Sequence, residues 1–313
     1  MNNKRILILN HVFWPDKHNT ARHISELAYE LVCRGWYITA LVGNRSYLNY
    51  KKKFNSKGII WNGVNVKRIY IPPLNQKKNL QRLLTSFWIL LSWCFHLPFI
   101  VKFRVIIIGT NPPFSYLIIP VIKLFKPSIK IVLWGFDLYP EAIISETNKI
   151  FSFMGKIIKP VTILTHRFID VIVDIGPCMK AIYESYRIKA LKFTLTPWSF
   201  IEPPFNKDYI VDTKKKIFGD SKIGLLYSGT LGYAHDYELF LKLARRFREL
   251  NCSIAICFAG FGSRFLELKN KISTEDTNIY FANFTDDDKE LENRILSADF
   301  FLISLKESWT GIS

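Results

Sequence analysis

The sequence has little of the chemistry that metal and disulfide scaffolds need. Its 313 residues include only five scattered cysteines and six histidines, and no two cysteines have the C-x-x-C spacing of zinc or redox motifs. We therefore expect reduced thiols, a cytosolic compartment and no metal site. No amino-terminal signal peptide is evident either, because the opening apolar run of residues 5–10 ends too early in a polar loop.

Acidic residues are scarce in the first part of the chain. Residues 1–200 contain 28 lysines and arginines against 9 acidic residues, a net charge of +19, whereas residues 201–313 contain 15 against 17, a net charge of −2. This asymmetry indicates an anionic partner, which can be nucleic acid, an anionic membrane or a phosphorylated substrate. No nucleic-acid-binding module is recognisable, and the aromatic residues lie in apolar runs rather than among the lysines, so nucleic acid is not expected.

Short apolar runs alternate with helical periodicity along the whole chain. A helical pattern over residues 18–34 separates the first two predicted strands, and a Pro-rich linker at 196–205 divides two such series. The pattern predicts two doubly wound α/β domains, residues 1–200 and 201–313, with a ligand cleft at the carboxyl ends of the strands. The predicted strands are 5–10, 37–43, 64–71, 104–109, 130–135, 170–176, 222–229, 253–260, 278–283 and 299–304. The predicted helices of the second series are 236–249, 262–271 and 286–297.

Residues 83–103 form an apolar segment long enough to span a bilayer. Predicted strands of one sheet lie on both sides of it in the chain, and a membrane span would separate them. His96 and Pro98 also lower its quality as a span. We therefore expect a helix packed on the sheet, with an outward apolar face that inserts shallowly into a membrane surface. Plain burial in the core is the alternative.

An ordered series of motifs covers essentially the whole chain: RILILNHVFWPD, WGFDLYPEA, TPWSF, LLYSGTLGYAHD, FAGFG and ADFFLISLKESWTGIS. Together they resemble the GT-B glycosyltransferases of family 4, especially those that build bacterial surface polysaccharides and O-antigens. The resemblance implies two Rossmann-like domains, the first for a lipid-linked glycan acceptor and the second for a nucleotide-sugar donor. It also implies retaining chemistry with no metal or other cofactor, on the inner face of the cytoplasmic membrane, with the anionic membrane surface as a partner.

Two glycine-rich strand-to-helix turns carry the predicted donor site. Glycines let a backbone approach a diphosphate closely, and a helix amino-terminus directs amide groups at the anion. Tight turns alone would explain either loop, but two loops at successive strand ends favour a ligand. The residues predicted to bind the nucleotide-sugar are Gly229, Thr230, Gly232, His235, Asp236, Gly260 and Gly262. By contrast, the acidic run at 286–288 fits a helix amino-terminus better than a metal-binding Asp-x-Asp.

In the first domain the predicted catalytic residues are His11, Asp137 and Glu141. By the resemblance, one of the two carboxylates orients or deprotonates the acceptor hydroxyl. Helix capping explains Asp137 equally well, and His11 is as often an ordinary loop residue. Asn19 and Thr20 are predicted to begin a helix and to face the acceptor. Trp198 is expected to pack in the core rather than stack on a base.

The second domain departs from the family pattern. The Arg and Lys-Gly pair that hold the phosphates in many relatives are missing, which leaves the first glycine loop short of cationic partners. Relatives also continue past the point at which this sequence stops, with a Lys and a Glu that contact the donor. We therefore expect an incomplete second domain and little turnover from this chain. The alternative function is a non-catalytic, membrane-bound scaffold or a gene relic.

Overall fold

The computed structural model describes residues 4–55, 58–76, 78–145, 149–198, 208–285 and 287–312. The chain divides into two compact units, Met1–Trp198 with Gly311–Ser313 (unit 1) and Ser199–Thr310 (unit 2). The strands are β1 (Arg5–Leu9), β2 (Tyr37–Gly43), β3 (Ile59–Trp61), β4 (Val64–Ile69), β5 (Val105–Gly109), β6 (Lys130–Trp134), β7 (Val171–Asp174), β8 (Leu191–Thr194), β9 (Ile223–Thr230), β10 (Ile254–Phe261), β11 (Ile279–Asn283) and β12 (Phe300–Phe301). The helices are α1 (Asn19–Cys33), α2 (Asn79–Phe95), α3 (Leu97–Ile100), α4 (Ile118–Phe125), α5 (Glu141–Ile144), α6 (Lys149–His166), α7 (Pro177–Ser185), α8 (Asp208–Phe218), α9 (Glu238–Glu249), α10 (Phe265–Asn270) and α11 (Asp288–Leu296).

Unit 1 is built on an eight-stranded sheet in the order β3-β4-β2-β1-β5-β6-β7-β8. Every pairing is parallel except that of β3 with β4. The central strands β1, β2 and β5 are nearly continuous apolar runs, because helices cover both faces of a parallel sheet. The chain moves one way from β1 and the other way from β5, so β1 and β5 form the switch point at which α/β sheets bind ligands.

Unit 2 contains a four-stranded parallel sheet in the order β11-β10-β9-β12. Successive residues of β9 point to opposite faces: Leu225 and Tyr227 pack in one cluster with α9 and α10, while Leu226 packs in a second cluster with Phe218 of α8. Burial on both faces explains why β9 is a continuous apolar run from Leu225 to Tyr227, before its exposed end at Ser228. The doubly wound α/β class predicted from the sequence is confirmed.

Several predicted boundaries were wrong. The segment 83–103 is two helices, α2 and α3, which separate at His96, where α2 ends and Pro98 lies in the first turn of the next helix. Helix α8, which contains the lysines at 214–216, was not among the predicted helices. Strands β3 and β8 were not predicted, and the last strand is limited to β12. Most of the linker at 196–205 lies outside the described residues.

Candidate active site

The loop after β1 lies between the ends of β2 and β5 in unit 1. The His11 N–H donates to the carbonyl of Asn111 at 2.7 Å, and the His11 carbonyl accepts from Gly43 N–H at 2.8 Å. His11 is 3% exposed, and this burial lowers the pKa of its imidazole to about 4, against the opposing effect of a hydrogen bond with the Asn111 side chain. The structure therefore places His11 at the switch point as a neutral side chain at physiological pH.

Tyr47 connects His11 to a second histidine that the sequence analysis did not select. Its ring centroid lies 5.7 Å from that of His11 and 4.6 Å from that of His18. Asp16 fixes the loop that carries Tyr47, because its carboxylate accepts from Tyr47 N–H at 2.7 Å and from Ser46 Oγ at 3.2 Å. Burial lowers the pKa of His18, so this histidine also favours its neutral form.

Arg82 and Asp137 bring opposite charges to this cluster. Arg82, from the first turns of α2, is hydrogen-bonded to Tyr47 and is mostly buried. The negative charge of Asp137 acts on His18, Tyr47 and Arg82 alike, and it favours the protonated form of each by raising its pKa. Thr110, at the end of β5, holds the loop of Asp137 by accepting a hydrogen bond from its N–H at 3.2 Å.

The alternative role of Asp137 as a helix cap is wrong. The nearest helix, α5, is a single turn whose N-cap residue is Pro140, and no side chain caps it. Asp137 is half-exposed at the strand ends, and it does not cap this helix. Its predicted catalytic role stays a prediction.

Glu141 occupies a different environment from Asp137. It is buried, and its Oε1 lies 3.3 Å from Nζ of Lys159 on α6. Its charge acts on a cluster of buried rings that includes Tyr186 and His166. Burial, and then the charge of Glu141, raise the pKa of Tyr186, whereas burial lowers the pKa of His166 to about 4. This geometry is that of an internal ion pair, and the catalytic role predicted for Glu141 has no support in it.

The other residues selected in unit 1 have plainer surroundings. Helix α1 begins at Asn19, which is exposed, and Thr20 is buried in its first turn. Their contact with an acceptor stays a prediction. Trp198 packs against the core of unit 1, with its ring 6.1 Å from that of Trp134, and its indole N–H donates to Glu26. Its predicted packing role is confirmed.

The glycines of unit 2 divide into two kinds. Gly229, near the end of β9, has φ +148°, and a Cβ added there would meet nothing within 4 Å. At Gly260 the same atom would lie 2.0 Å from the carbonyl oxygen of Gly229, and at Gly262 it would lie 2.2 Å from that of Leu231. Gly260 and Gly262 are therefore required by the close approach of the two loops, while Gly229 faces open space.

His235 and Asp236 close the first glycine loop on itself. The Nδ1 of His235 accepts from Gly232 N–H at 3.2 Å, and burial lowers its pKa, so the ring is neutral. The carboxylate of Asp236 accepts from Glu238 N–H at 3.0 Å, in the first turn of α9. The helix thus begins two residues later than predicted, and Asp236 stabilises that beginning. Thr230 remains exposed beside Gly229.

Two cations reach this loop from other segments, and the sequence analysis missed both. The guanidinium of Arg264 donates to the carbonyl of His235 at 2.9 Å and pairs with Glu267 at 3.1 Å. The N–H of Lys306 donates to the carbonyl of Ala234 at 2.8 Å, and its charge contributes to lowering the pKa of His235, after burial. Arg264 follows Gly262 by two residues in the sequence, which was the available signal.

The described part of the acidic run at 286–288 begins a helix. Asp287 caps α11 by accepting from the N–H groups of Lys289 at 2.8 Å and Glu290 at 3.1 Å, which confirms the predicted helix amino-terminus there. Among the described residues, no three His, Cys, Asp or Glu side chains are grouped as metal ligands would be. Independence from metal stays a prediction.

Comparison with known proteins identifies the fold but not the family. No model of a protein family matches the chain, and no curated protein sequence matches it. Solved structures do match. Sucrose-phosphate synthase from Thermosynechococcus elongatus has a TM-score of 0.67 at 10% identity, covering 96% of this chain and 75% of that one. The catalytic domain of starch synthase IV from Arabidopsis thaliana, bound to ADP and acarbose, has a TM-score of 0.61 at 10% identity, covering 98% and 79%.

A third similar structure is WaaG, a glycosyltransferase involved in lipopolysaccharide biosynthesis. Its TM-score is 0.60 at 12% identity, and the match covers 96% of this chain and 75% of WaaG. At such identities the likeness establishes the fold alone. The chain therefore has the GT-B glycosyltransferase fold of Rossmann-like domains.

Proposed function

We propose that this protein is a glycosyltransferase that moves a sugar from a UDP- or GDP-sugar to a lipid-linked polysaccharide precursor, in the manner of the family 4 enzymes that it resembles. The observation that carries the proposal is the open, exposed backbone at Gly229 on a GT-B fold. The ADP bound to the similar starch synthase supports a nucleoside-diphosphate donor. WaaG, with its part in lipopolysaccharide biosynthesis, supports a bacterial surface glycan as the product.

On the donor side, the diphosphate would lie against the backbone of Gly229, Thr230 and Gly232. Exposed strand-end amides are the donors that favour a developing phosphate charge. Lys306, held beside this loop through Ala234, supplies the positive charge that the loop itself lacks. The neutral His235 fixes the loop through Gly232 rather than adding charge.

On the acceptor side, the polar cluster at the switch point of unit 1 would hold the reacting hydroxyl. Asp137 accepts the hydrogen bond of that hydroxyl, and Arg82 binds an anionic group of the acceptor, such as its lipid phosphate. The acceptor oxygen then bonds to the anomeric carbon as the bond from that carbon to the diphosphate breaks. Front-face departure retains the anomeric configuration, and the hydroxyl proton leaves with the diphosphate or through Asp137.

A lipid-linked acceptor requires the enzyme at a membrane surface, and α2 has the composition for this contact. Its exposed large apolar side chains follow one side of the helix, and they are Leu80, Leu83, Leu84, Phe87, Trp88, Leu91 and Phe95. No acidic residue lies between Glu30 and Asp137, whereas sixteen lysines and arginines do. Within the described ranges, no helix combines the length and apolarity needed to cross a bilayer. We propose peripheral binding to the inner face of the cytoplasmic membrane.

Calorimetric titration of UDP and GDP against the full chain tests the donor site. Gly229→Val should abolish binding, because its side chain fills the open space in front of the backbone. Gly176→Val is the matched control, because a Cβ at Gly176 also meets nothing within 4 Å but lies in unit 1. Undiminished nucleotide affinity in a folded Gly229→Val protein would return this glycine to the role of an ordinary turn residue.

Sugar transfer to lipid-linked acceptors in isolated membranes tests the activity itself. Whatever transfer from a UDP- or GDP-sugar this chain supports should depend on nucleotide binding and be lost in Gly229→Val. A protein that binds membranes through α2 but neither binds nucleotide nor transfers sugar would be the non-catalytic scaffold instead.

A further inference from the structure

Helix α6 exposes an apolar stripe that the sequence analysis did not single out. The exposed side chains recur at three- and four-residue spacing along one side, opposite the buried Thr162, Thr165 and His166. The exposed residues are Phe153, Met154, Ile157, Val161 and Leu164, continued beyond the helix by Phe168. A helix on the surface of a soluble domain normally carries charged and polar residues on this outer side.

A cationic edge borders this stripe. Lys156, Lys159 and Arg167 lie along one flank and, with Pro160, line an open cavity of about 520 Å³ whose floor is aliphatic. Lys159 is engaged with Glu141, but Lys156 and Arg167 are exposed. Residues 149–169 contain no aspartate or glutamate, so neither of these cations has an acidic neighbour on its own helix.

The stripe lies on the same side of the sheet as α2. The crossovers from β4 to β5 and from β6 to β7 advance in the same direction along the sheet, and right-handed crossovers then place α2 and α6 on one face. The turn at residues 115–117 contacts both helices. At the end of the intervening α4, Leu124 and Phe125 are exposed as well. Three neighbouring helices thus present apolar groups to solvent on this face.

We propose that α6 is a second lipid-contacting helix, which inserts its apolar stripe into an anionic bilayer and binds a lipid phosphate with Lys156 and Arg167 at the cavity. Charge complementarity favours this occupant, because an acid-free, basic-edged apolar stripe matches an anionic headgroup layer above acyl chains. The proposal goes beyond the function above, which uses α2 alone, and it does not require sugar transfer.

Flotation of the full chain with vesicles of phosphatidylcholine and phosphatidylglycerol tests the apolar stripe. The double variant Ile157→Asp with Leu164→Asp should lower the partition coefficient about 100-fold, because two apolar side chains are replaced by charges that an anionic surface repels. The matched control is Leu239→Asp on α9 of unit 2, since Leu239 is 62% exposed, close to the 61% of Ile157, and belongs to neither the stripe nor its cationic edge. The control should bind as the unchanged chain does.

A second variant tests the cationic edge without disturbing the apolar stripe. Lys156→Gln with Arg167→Gln should lower partitioning into anionic vesicles about tenfold or more and leave partitioning into pure phosphatidylcholine unchanged. Equal partitioning of both double variants and the unchanged chain, with matching circular dichroism, would overturn the proposal. So would a result in which the aspartate variant dissociates a dimer in analytical ultracentrifugation but still binds vesicles, since the stripe would then contact a second copy. Loss of nucleotide binding or transfer leaves this test unaffected.

Discussion

The candidate site of unit 1 is formed by side chains, whereas that of unit 2 is formed by backbone. In unit 1 the switch point is filled with side chains. Tyr47 contacts the rings of His11 and His18 and is hydrogen-bonded to Arg82, and the charge of Asp137 acts on Tyr47 and Arg82. In unit 2 the corresponding strand end is bare backbone, with Gly229 open to solvent. A backbone site binds what all nucleotide-sugars share, whereas a side-chain site can differ from one acceptor to another.

The units also differ in charge and in the protonation of their histidines. The basic excess belongs to the first 200 residues. Unit 1 buries His11 and His166 so that each has a pKa of about 4, whereas His235 of unit 2 is only half-buried, and this burial also lowers its pKa. The effects of mutations and of low pH on the two units therefore distinguish a site made of side chains from one made of backbone.

The largest effect on stability is expected at Gly260 of unit 2, where a side chain would collide with the backbone. Gly260→Ala places a methyl group 2.0 Å from the Gly229 carbonyl oxygen at φ +142°, so it should cost about 3 kcal/mol or more and unfold much of unit 2. Gly229→Ala, with open space at φ +148°, should cost only about 1–2 kcal/mol. Urea unfolding, followed by hydrogen exchange of each unit, gives both values. Equal costs for the two variants would contradict the division of the glycines.

A large effect on activity is expected from one carboxylate of unit 1 and not from the other. Asp137→Asn should lower kcat between about 10² and 10⁴-fold with little change in stability, because a residue that accepts the hydroxyl proton is lost. Glu141→Gln should instead lower stability, since Lys159 would lose its buried partner, and should leave kcat within about threefold. Transfer assays and urea unfolding on both variants distinguish these roles. The reverse pattern would make Glu141 the catalytic residue and Asp137 the structural one.

Acid should weaken unit 1 before unit 2. Below pH 6.5 an unfolded histidine binds a proton, whereas buried His11 and His166 stay neutral to about pH 4, so the stability of unit 1 falls between these values and is complete above pH 6.5. At pH 5 the loss is about 2 kcal/mol per histidine. In unit 2 a hydrogen bond from Arg245 holds the pKa of Asp276 at about 2, so its loss comes as the pH falls from about 4 to 2.

Hydrogen exchange of each unit against pH measures this order. The double variant His11→Asn with His166→Asn serves as the control and should flatten the dependence of unit 1 between pH 6.5 and 4. A unit 1 whose protection stays constant over that range in the unchanged chain would show that these histidines titrate normally.

The smallest effect concerns the helix that follows the first glycine loop. Asp236→Ala should cost about 1 kcal/mol in unfolding free energy, because the first turn of α9 loses the acceptor of Glu238 N–H. Nucleotide affinity should stay within about threefold, since the carboxylate is occupied by that turn. Calorimetry gives the affinity and urea unfolding the stability. A large loss of affinity would restore Asp236 as a donor-binding residue.

The sequence predicted the parts of the fold that depend on local pattern. Buried parallel strands such as β1, β5 and β10 are continuous apolar runs, and such runs are recognisable without knowing their neighbours. The edge strands β3 and β8 are partly exposed and have only three and four residues, which is too short for a recognisable hydrophobic pattern. Helix α8, with three consecutive lysines, was not predicted either.

The sequence predicted site residues whose type alone indicates a role, such as glycines in turns that approach a ligand. It missed residues that contact the site from distant parts of the chain. Gly229, Gly260 and Gly262 were selected together, but only the backbone distances separate the open glycine from the packed ones. Tyr47 reaches His11 and Arg82 reaches Tyr47 across long stretches of chain, and Lys306 reaches the glycine loop in the same way. The spacing of residues in the sequence does not indicate such long-range contacts.

The contact of Gly260 and Gly262 with the preceding loop has a consequence for altering the enzyme's choice of donor. Each of these glycines is a fixed position, since any side chain would collide with backbone that cannot move aside. Ser228 and Thr230, in contrast, are exposed at the same strand end. A combinatorial library aimed at new donors should therefore randomise positions 228 and 230 and keep both packed glycines constant, so that its diversity falls on surfaces that a ligand can touch.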